Sequence, residues 1–497
     1  MMPVELNPYG NPVEVGRLII SSPGLQGMAI HYDSGAADMR GAEQTTDAFE
    51  QALRNMEVVA QETVEIFDTR EVDLGDVSTR STHYDEPALI IQVPDAGDEW
   101  GQVLMYTDES GVITWNFPQD ENNQVDTTRG AQTRTYVIRR YVAETPAETG
   151  SRGVIGAIGK KILKVLAFKL LDPIGGAVAD YFVSRWENNK RPYRFRPFTP
   201  INYQQSVVPA LDDSDWATLS SGRALLMIHG TNSRTHIAFH ALPQTYVQAL
   251  HNNNTYEGRV FAFDHLTLSE DPRQNIDWFF SNLPEGIHLD VDIICHSRGG
   301  LVARMLSEKQ DSFSRGNRSL TINKIVFVAV PNSGTILSDA IYMGDFIDSY
   351  TNLLNFFPDN GVTESLEGII GIAKQLAVGA LGGLDGLQSM HPEGKFLKEL
   401  NTSGTAGSTN YYALSSNYEP QEPGLKAYAA DRLMDKIFKQ DNDLVVPTAG
   451  VYCTNGSSGF PIENHIVYTA QEGIPHTGFF GQDKAQVQIM NWLAENV

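Results

Sequence analysis

The sequence predicts an α/β protein: a mostly parallel sheet with helices on both faces and a helical cap, preceded by a smaller β-rich unit. Three observations predict it. Apolar runs at 224–228, 259–263, 290–295, 324–330, 411–415 and 465–468 alternate with helical or mixed segments, and they are continuous rather than alternating, as strands covered on both faces must be. The interval 335–400 is too long for a simple crossover and holds apolar helical stretches around 341–357 and 366–384, which predicts a cap. Residues 13 to about 145 instead read as short strands between turn clusters such as Pro94-Asp95-Ala96-Gly97.

Taken in order, the first unit, 1–149, has predicted strands at 16–22, 88–93, 102–106, 112–116 and 135–141 and one polar helix near 45–64. It contains no catalytic constellation. Residues 150–215 read as a basic amphipathic helical connector. Ile155, Ile158, Ile162, Leu166 and Leu170 fall at helical spacing, Pro173 breaks that helix, and a second one ends near Trp186. Ten Lys or Arg face three acids between Arg152 and Arg196, a local charge of +7. The expected role is a connector whose apolar stripe docks on the neighbouring unit while its lysines stay in water. Peripheral contact with an anionic membrane through 152–196 is the alternative. Residues 216–497 form the predicted α/β unit, with the cap inserted at about 335–400.

Composition narrows the function. The 497 residues carry 37 Lys and Arg against 61 Asp and Glu, a net charge of −24, with 41% hydrophobic and 20% charged residues. That is ordinary globular usage, and a chain of this length can bury two cores. The acidic balance argues against nucleic acid as a partner. Two cysteines, Cys295 and Cys453, are too few for a disulfide framework and fit a reducing compartment. No signal-peptide pattern opens the sequence and no apolar run of transmembrane length is present, so the expected location is the cytoplasm, with signal-independent export left open.

The chemistry concentrates in VDIICHSRGGLVAR at 291–304: an apolar strand, a sharp turn, then a helix. Such an elbow holds a serine hydroxyl, here Ser297, at the carboxyl end of the strand and under the next helix. Small residues are wanted two before and two after; Gly299 meets the second requirement, and Cys295 stands where glycine is usual. Earlier, LLMIHGT at 225–231 is a strand ending in His-Gly, where two backbone N–H groups, those of Thr231 and Arg298, could receive a negative oxygen. His229 reads as a structural loop histidine. Downstream, QDNDLVVP at 440–447 offers Asp443 as the acid, with Asp441 its rival, and GIPHTGFF at 473–480 offers His476 as the base, with His465 its rival. His229, His236 and His240 have a spacing that could suit zinc, but no cysteine or carboxylate clearly joins them, and no metal or other cofactor is expected.

The segments HGT, CHSRGG, VPNSGT at 330–335, NDLVVP and PHTGF, in this order, make residues from about 220 onward resemble an α/β-hydrolase of the lipase and esterase kind. FAFDHLTLS at 261–269 together with HSRGG also resembles bacterial hydrolases with large N-terminal extensions. The resemblance implies catalytic Ser297, Asp443 and His476 and an oxyanion hole from the Thr231 and Arg298 amides. It implies cleavage of a small-molecule or lipid ester through an acyl-enzyme. The apolar residues of the interval 335–400, among them Leu353, Ile369 and Ile372, fit either an acyl-binding lid or a buried helical pair. Thioester, amide or peptide cleavage by the same residues, and an inert binding or effector protein, are the alternatives.

Overall fold

The computed structural model describes residues 2–33, 45–72, 88–108, 111–119, 133–139, 160–170, 182–339, 342–354, 359–380, 382–403, 407–421, 434–435, 437–454 and 459–494. The first unit is a pair of antiparallel sheets. Strands β1 (Val4–Glu5), β2 (Val13–Val15), β3 (Leu18–Ser21) and β4 (Leu25–Asp33) precede helix α1 (Thr45–Asn55). Then come β5 (Val58–Glu71), β6 (Ala88–Pro94), β7 (Trp100–Thr107), β8 (Ile113–Asn116), β9 (Thr133–Arg139) and β10 (Lys160–Lys169). One sheet has the order β1-β4-β5-β10-β7-β8 and the other β2-β3-β6-β9. Leu18, Ile20, Ile91 and Ile138 of the smaller sheet share one core with Val64, Leu104, Leu163 and Val165 of the larger.

Two expectations fail here. The helix near 45–64 ends at Asn55, and after a turn in which Glu57 has φ +55° the chain becomes β5, whose burial alternates in places. The predicted amphipathic helix is, over 160–169, the strand β10, paired antiparallel with both β5 and β7. The physical reason lies in the spacing that suggested the helix. Residues four apart share a face in a strand as well as in a helix, because four is a multiple of both periods within error. With Leu163, Val165, Leu166, Ala167 and Phe168 all buried, β10 has no polar face to reveal a period of two. The apolar stripe that would have met a membrane is therefore inside the protein over these residues; 152–159 and 171–181 lie outside the described residues. The second connector helix does form, as α2 (Phe182–Lys190). Among the described residues no helix is long and apolar enough to cross a membrane.

The second unit is built on a seven-stranded sheet. After α2 come β11 (Arg194–Pro197), α3 (Asp213–Leu219), β12 (Arg223–Ile228), α4 (Thr235–Ala238), α5 (Gln244–Asn252), β13 (Val260–Asp264) and α6 (Pro272–Asn282). They are followed by β14 (His288–His296), α7 (Gly299–Glu308) and β15 (Ser319–Val328). Helices α8 (Met343–Leu353), α9 (Asp359–Ala377), α10 (Asp385–Gln388) and α11 (Lys395–Ser403) fill the predicted cap interval before β16 (Asn410–Ser416), β17 (Asn464–Tyr468) and α12 (Asp483–Ala494). The order β11-β13-β12-β14-β15-β16-β17 is parallel except for β11 at the edge. The order reverses around β12, and in open α/β sheets ligands bind beyond the carboxyl ends of strands at such a switch.

The two units share a core rather than a hinge. Phe49 and Ala52 of α1, Met56 just after it, Phe168 of β10 and Ile369, Ile370 and Ile372 of α9 belong to one apolar cluster. Lys374 at the end of α9 donates to the Met56 carbonyl (3.0 Å) and lies over the rings of Phe168 and Phe182. Burial pulls its ammonium down to about 8. The apolar residues of α9 are thus partners of the first unit.

Helix α8 satisfies the outer edge of β8, a row of backbone groups that would otherwise be exposed. Asp348 Oδ1 accepts from the Trp115 amide (2.7 Å), Asn352 bonds both the N–H and the C=O of Ile113 (3.1 and 2.9 Å), and the Trp115 indole donates to Thr351 Oγ1 (2.9 Å). Burial, aided by Asp345, holds the Asp348 carboxyl well above the usual carboxylate range. A carboxyl with its folded value raised stabilises below the unfolded value, about 4, and that contribution fades as pH climbs toward the folded value, by at most about 1.4 kcal/mol per pH unit. Asp348→Asn keeps the acceptor without the charge. Its melting temperature is expected to gain on wild type as pH rises above about 5; parallel curves would show Asp348 ionised without cost.

Candidate active site

The sharp turn after β14 holds Ser297 at φ +53°, a region non-glycine residues rarely occupy. The Ser297 amide donates to Val328 O (2.9 Å) and the Gly300 amide to Ser297 O (2.9 Å), which locks the turn between β15 and α7. The turn packs so closely on β12 that a Cβ on Gly299 would lie 2.3 Å from His229 O. A Cβ on Gly230 would lie 2.5 Å from Ser297 Cβ, so the His-Gly-Thr loop runs directly alongside the serine. Cys295 is fully buried and its thiol reaches Val326 O at 3.4 Å, so cysteine fits where glycine is usual.

His476 Nε2 lies 3.0 Å from Ser297 Oγ, and His476 Nδ1 lies 2.8 Å from Asp443 Oδ2. An ionised carboxylate only accepts, so Nδ1 carries the proton and Nε2 is left to accept from the serine hydroxyl. The other Asp443 oxygen accepts from the amides of Val445 (3.0 Å) and Val446 (2.7 Å), and the His476 amide donates to Asp443 O (2.9 Å). These bonds fix acid and base in one rigid turn. His296 adds a further brace: its Nε2 donates to the His476 carbonyl at 2.9 Å, and burial lowers its pKa to about 3, keeping the ring neutral.

The structure brings together Ser297, His476, Asp443, Thr231 and Arg298 from the sequence reading and separates their rivals. Asp441 is exposed, and His465 stacks on Tyr452 with its Nδ1 on Ile462 O (2.7 Å). His229 accepts the His265 amide at Nε2 (3.1 Å) and faces its own loop through Nδ1, a structural role; burial lowers its pKa to about 4. Among the described residues no group of three His, Cys, Asp or Glu is arranged to hold a metal ion. Neither the Thr231 nor the Arg298 amide bonds to an acceptor among the described residues.

Three side chains around the site carried no sequence signal. Arg298 is fully buried and bonds Gly386 O (2.9 Å), Ser389 Oγ (3.2 Å), Asn275 Oδ1 (3.1 Å) and Glu270 O, joining the elbow to the cap. Glu187 of α2, also fully buried, accepts from the amides of Thr267 (2.5 Å), Leu268 (2.9 Å) and Ser269 (2.9 Å) and from both hydroxyls of that loop. Tyr350 of α8 is buried, and burial pushes its phenol up, partly offset by the nearby Ser297 and Thr231 side chains. An arginine, a glutamate and a tyrosine on helices have no motif to betray them; only the placement of α2 and α8 against the site gives them a role.

The fold and this site define a class: an α/β protein with a serine, a histidine and an aspartate in hydrogen-bonded series at the carboxyl ends of a mostly parallel sheet. The chain belongs to the family described as a domain of unknown function, DUF7379, whose model matches residues 190–494. No curated protein matches it. Solved structures similar to it include lipases and carboxylesterases. The mature lipase BlEst2 of Bacillus licheniformis is 13% identical over 54% of this chain and 91% of its own, with a TM-score of 0.33. Lipase 1 of Pelosinus fermentans is 12% identical over 56% and 99%, at 0.36. A metagenomic carboxyl esterase is 14% identical over 59% and 79%, at 0.32.

Proposed function

We propose that the chain is a serine hydrolase of the α/β-hydrolase fold that cleaves carboxylic esters, with residues 216–497 as its catalytic unit and Ser297, His476 and Asp443 as its triad. One observation carries the proposal: Ser297 Oγ, the His476 ring and the Asp443 carboxylate stand in series at 3.0 and 2.8 Å. In this reading His476 takes the Ser297 proton as Oγ attacks the ester carbonyl and returns it to the leaving alkoxide, while Asp443 steadies the imidazolium. The amides of Thr231 and Arg298 receive the oxyanion, helped by the N-terminus of α7. Water then repeats the sequence on the acyl-enzyme, and no cofactor takes part. Met390, whose sulfur lies 3.5 Å from Thr231 Oγ1, favours an acyl group with hydrocarbon character over a charged one.

A fluorophosphonate probe followed by peptide mapping tests the reading. Modification at Ser297, abolished in His476→Ala, is the expected result. If the folded protein leaves Ser297 unmodified, or labels equally without His476, the hydrolase reading is lost. Rates on p-nitrophenyl esters of graded chain length then report acyl preference.

A further inference from the structure

The loop that carries the Thr231 amide is held by more than its own turn. Asn232, the next residue, is fully buried at φ +47°, a left-handed conformation that asparagine tolerates better than most residues. Both its backbone groups and both its side-chain polar atoms have partners. Its amide donates to Thr267 Oγ1 (3.1 Å) and its Nδ2 to Ser365 O of α9 (3.0 Å), while its Oδ1 accepts from Arg191 Nη1 (3.0 Å) and its carbonyl from the Ser365 hydroxyl (3.4 Å). Arg191, just after α2, is itself buried; its Nε bonds Glu364 Oε1 (2.7 Å) and its guanidinium lies 4.6 Å from the centre of the Trp186 ring. The fit leaves no slack, since a Cβ on Gly368 of α9 would collide with Asn232 Oδ1. The far end of the loop is tied separately, by the Thr235 amide and hydroxyl on Asp264 Oδ1 (2.9 and 2.6 Å).

We propose that Asn232 is a positioning residue for the reaction: its anchored, left-handed turn fixes where the Thr231 N–H points, so that this amide stays aimed at the oxygen of the tetrahedral intermediate. The inference rests on the hydrolase reading. Gly230 lets the loop run beside Ser297, but a glycine next to the donor also leaves the Gly230–Thr231 peptide free to tilt. A tilted peptide would turn its N–H away and bring a carbonyl, which repels an oxyanion, toward the site. Two restraints oppose the tilt. The carbonyl of that peptide, Gly230 O, lies 3.1 Å from His229 Nδ1, which orients one end. On the other side the Thr231–Asn232 peptide is pinned by its bond to Thr267, and the Asn232 side chain ties it to Ser365 and Arg191. Helix α9 shares its core with α1 and β10, and Asn55 of α1 donates to Glu367 Oε1 (2.6 Å), so the first unit supports this anchor. That gives the N-terminal unit a part in activity without any contact with substrate.

The test compares wild type with two variants. Asn232→Gly keeps the positive φ without steric cost and deletes both side-chain anchors. Gly368→Ala reaches the same side chain from α9, because the added methyl crowds Asn232 Oδ1 while alanine favours the helix. Turnover of p-nitrophenyl butyrate is measured per active site titrated with a fluorophosphonate. Inhibition by an alkyl trifluoromethyl ketone, which adds to the serine and presents a true oxyanion, is measured alongside. Misplacing a catalytic group by roughly 1 Å costs on the order of 10²-fold. The expected result in both variants is a fall of that order in kcat, a matching loss of ketone affinity and little change in KM. A merely structural Asn232 would lower the melting temperature or the titratable fraction and leave kcat per site and ketone affinity as in wild type. That pattern overturns the proposal, as does a rise in KM alone. If Asn232→Gly does not fold, Gly368→Ala decides on the same two readouts. A wild type that takes no fluorophosphonate removes the hydrolase reading, whereas a labelled wild type with indifferent variants removes only this inference.

Discussion

Ser297→Ala is expected to lower kcat on an activated ester by roughly 10⁶-fold, with KM and melting temperature nearly unchanged. The magnitude follows from the series Ser297, His476, Asp443 working as one unit. Without Oγ there is no acyl-enzyme, and what remains is whatever the Thr231 and Arg298 amides do for direct attack by water. His476→Ala should cost about as much, and the double variant no more than either alone, since neither partner has a function without the other. Asp443→Ala should cost less, because the imidazole survives and only its tautomer and orientation are lost. Its stability should fall more, since the Val445 and Val446 amides would lose a buried acceptor. Steady-state kinetics on the variants, each checked for folding, decide the matter. A Ser297→Ala protein with undiminished turnover would place the chemistry elsewhere.

The sequence made this constellation legible because each member sits in a local pattern with its own cause. Ser297 is marked by an apolar strand, a turn and Gly299, and the structure gives the glycine its reason: a Cβ there would collide with the His229 carbonyl. Asp443 and His476 are marked by position, each in the loop after a late strand, and the choice over Asp441 and His465 agrees with where these side chains lie. The edge strand β11 and the long strand β4 have no counterpart in the sequence reading, and β10 and the first half of β5 read as helix. For β10 the cause is that a strand covered on both faces loses the period that identifies it. Glu187 was invisible for another reason: it meets Thr267 across 80 residues of intervening chain, and no local pattern encodes such a meeting.

Glu187→Gln is expected to destabilise the protein by about 3–5 kcal/mol, although it changes one oxygen to an amide nitrogen. The carboxylate faces three successive backbone amides and two hydroxyls in the loop 267–269 and is shut away from water. Burying a charge costs several kcal/mol unless donors replace its hydration, and here the loop supplies them. Glutamine keeps one oxygen but turns an NH₂ group, itself a donor, against amides that need an acceptor. The consequence reaches the active site, since the next residue in that loop, Glu270, gives its carbonyl to the buried guanidinium of Arg298. Burial lowers the Arg298 pKa to about 10, and the negative charge of Glu187 works against that fall. Arg298→Met should therefore be less damaging in a Glu187→Gln background than in wild type. Chemical denaturation of the two single variants and the double measures that coupling. Additive losses would mean that the loop is held at two independent points, and a Glu187→Gln midpoint equal to wild type would mean that water, rather than this carboxylate, satisfies the three amides.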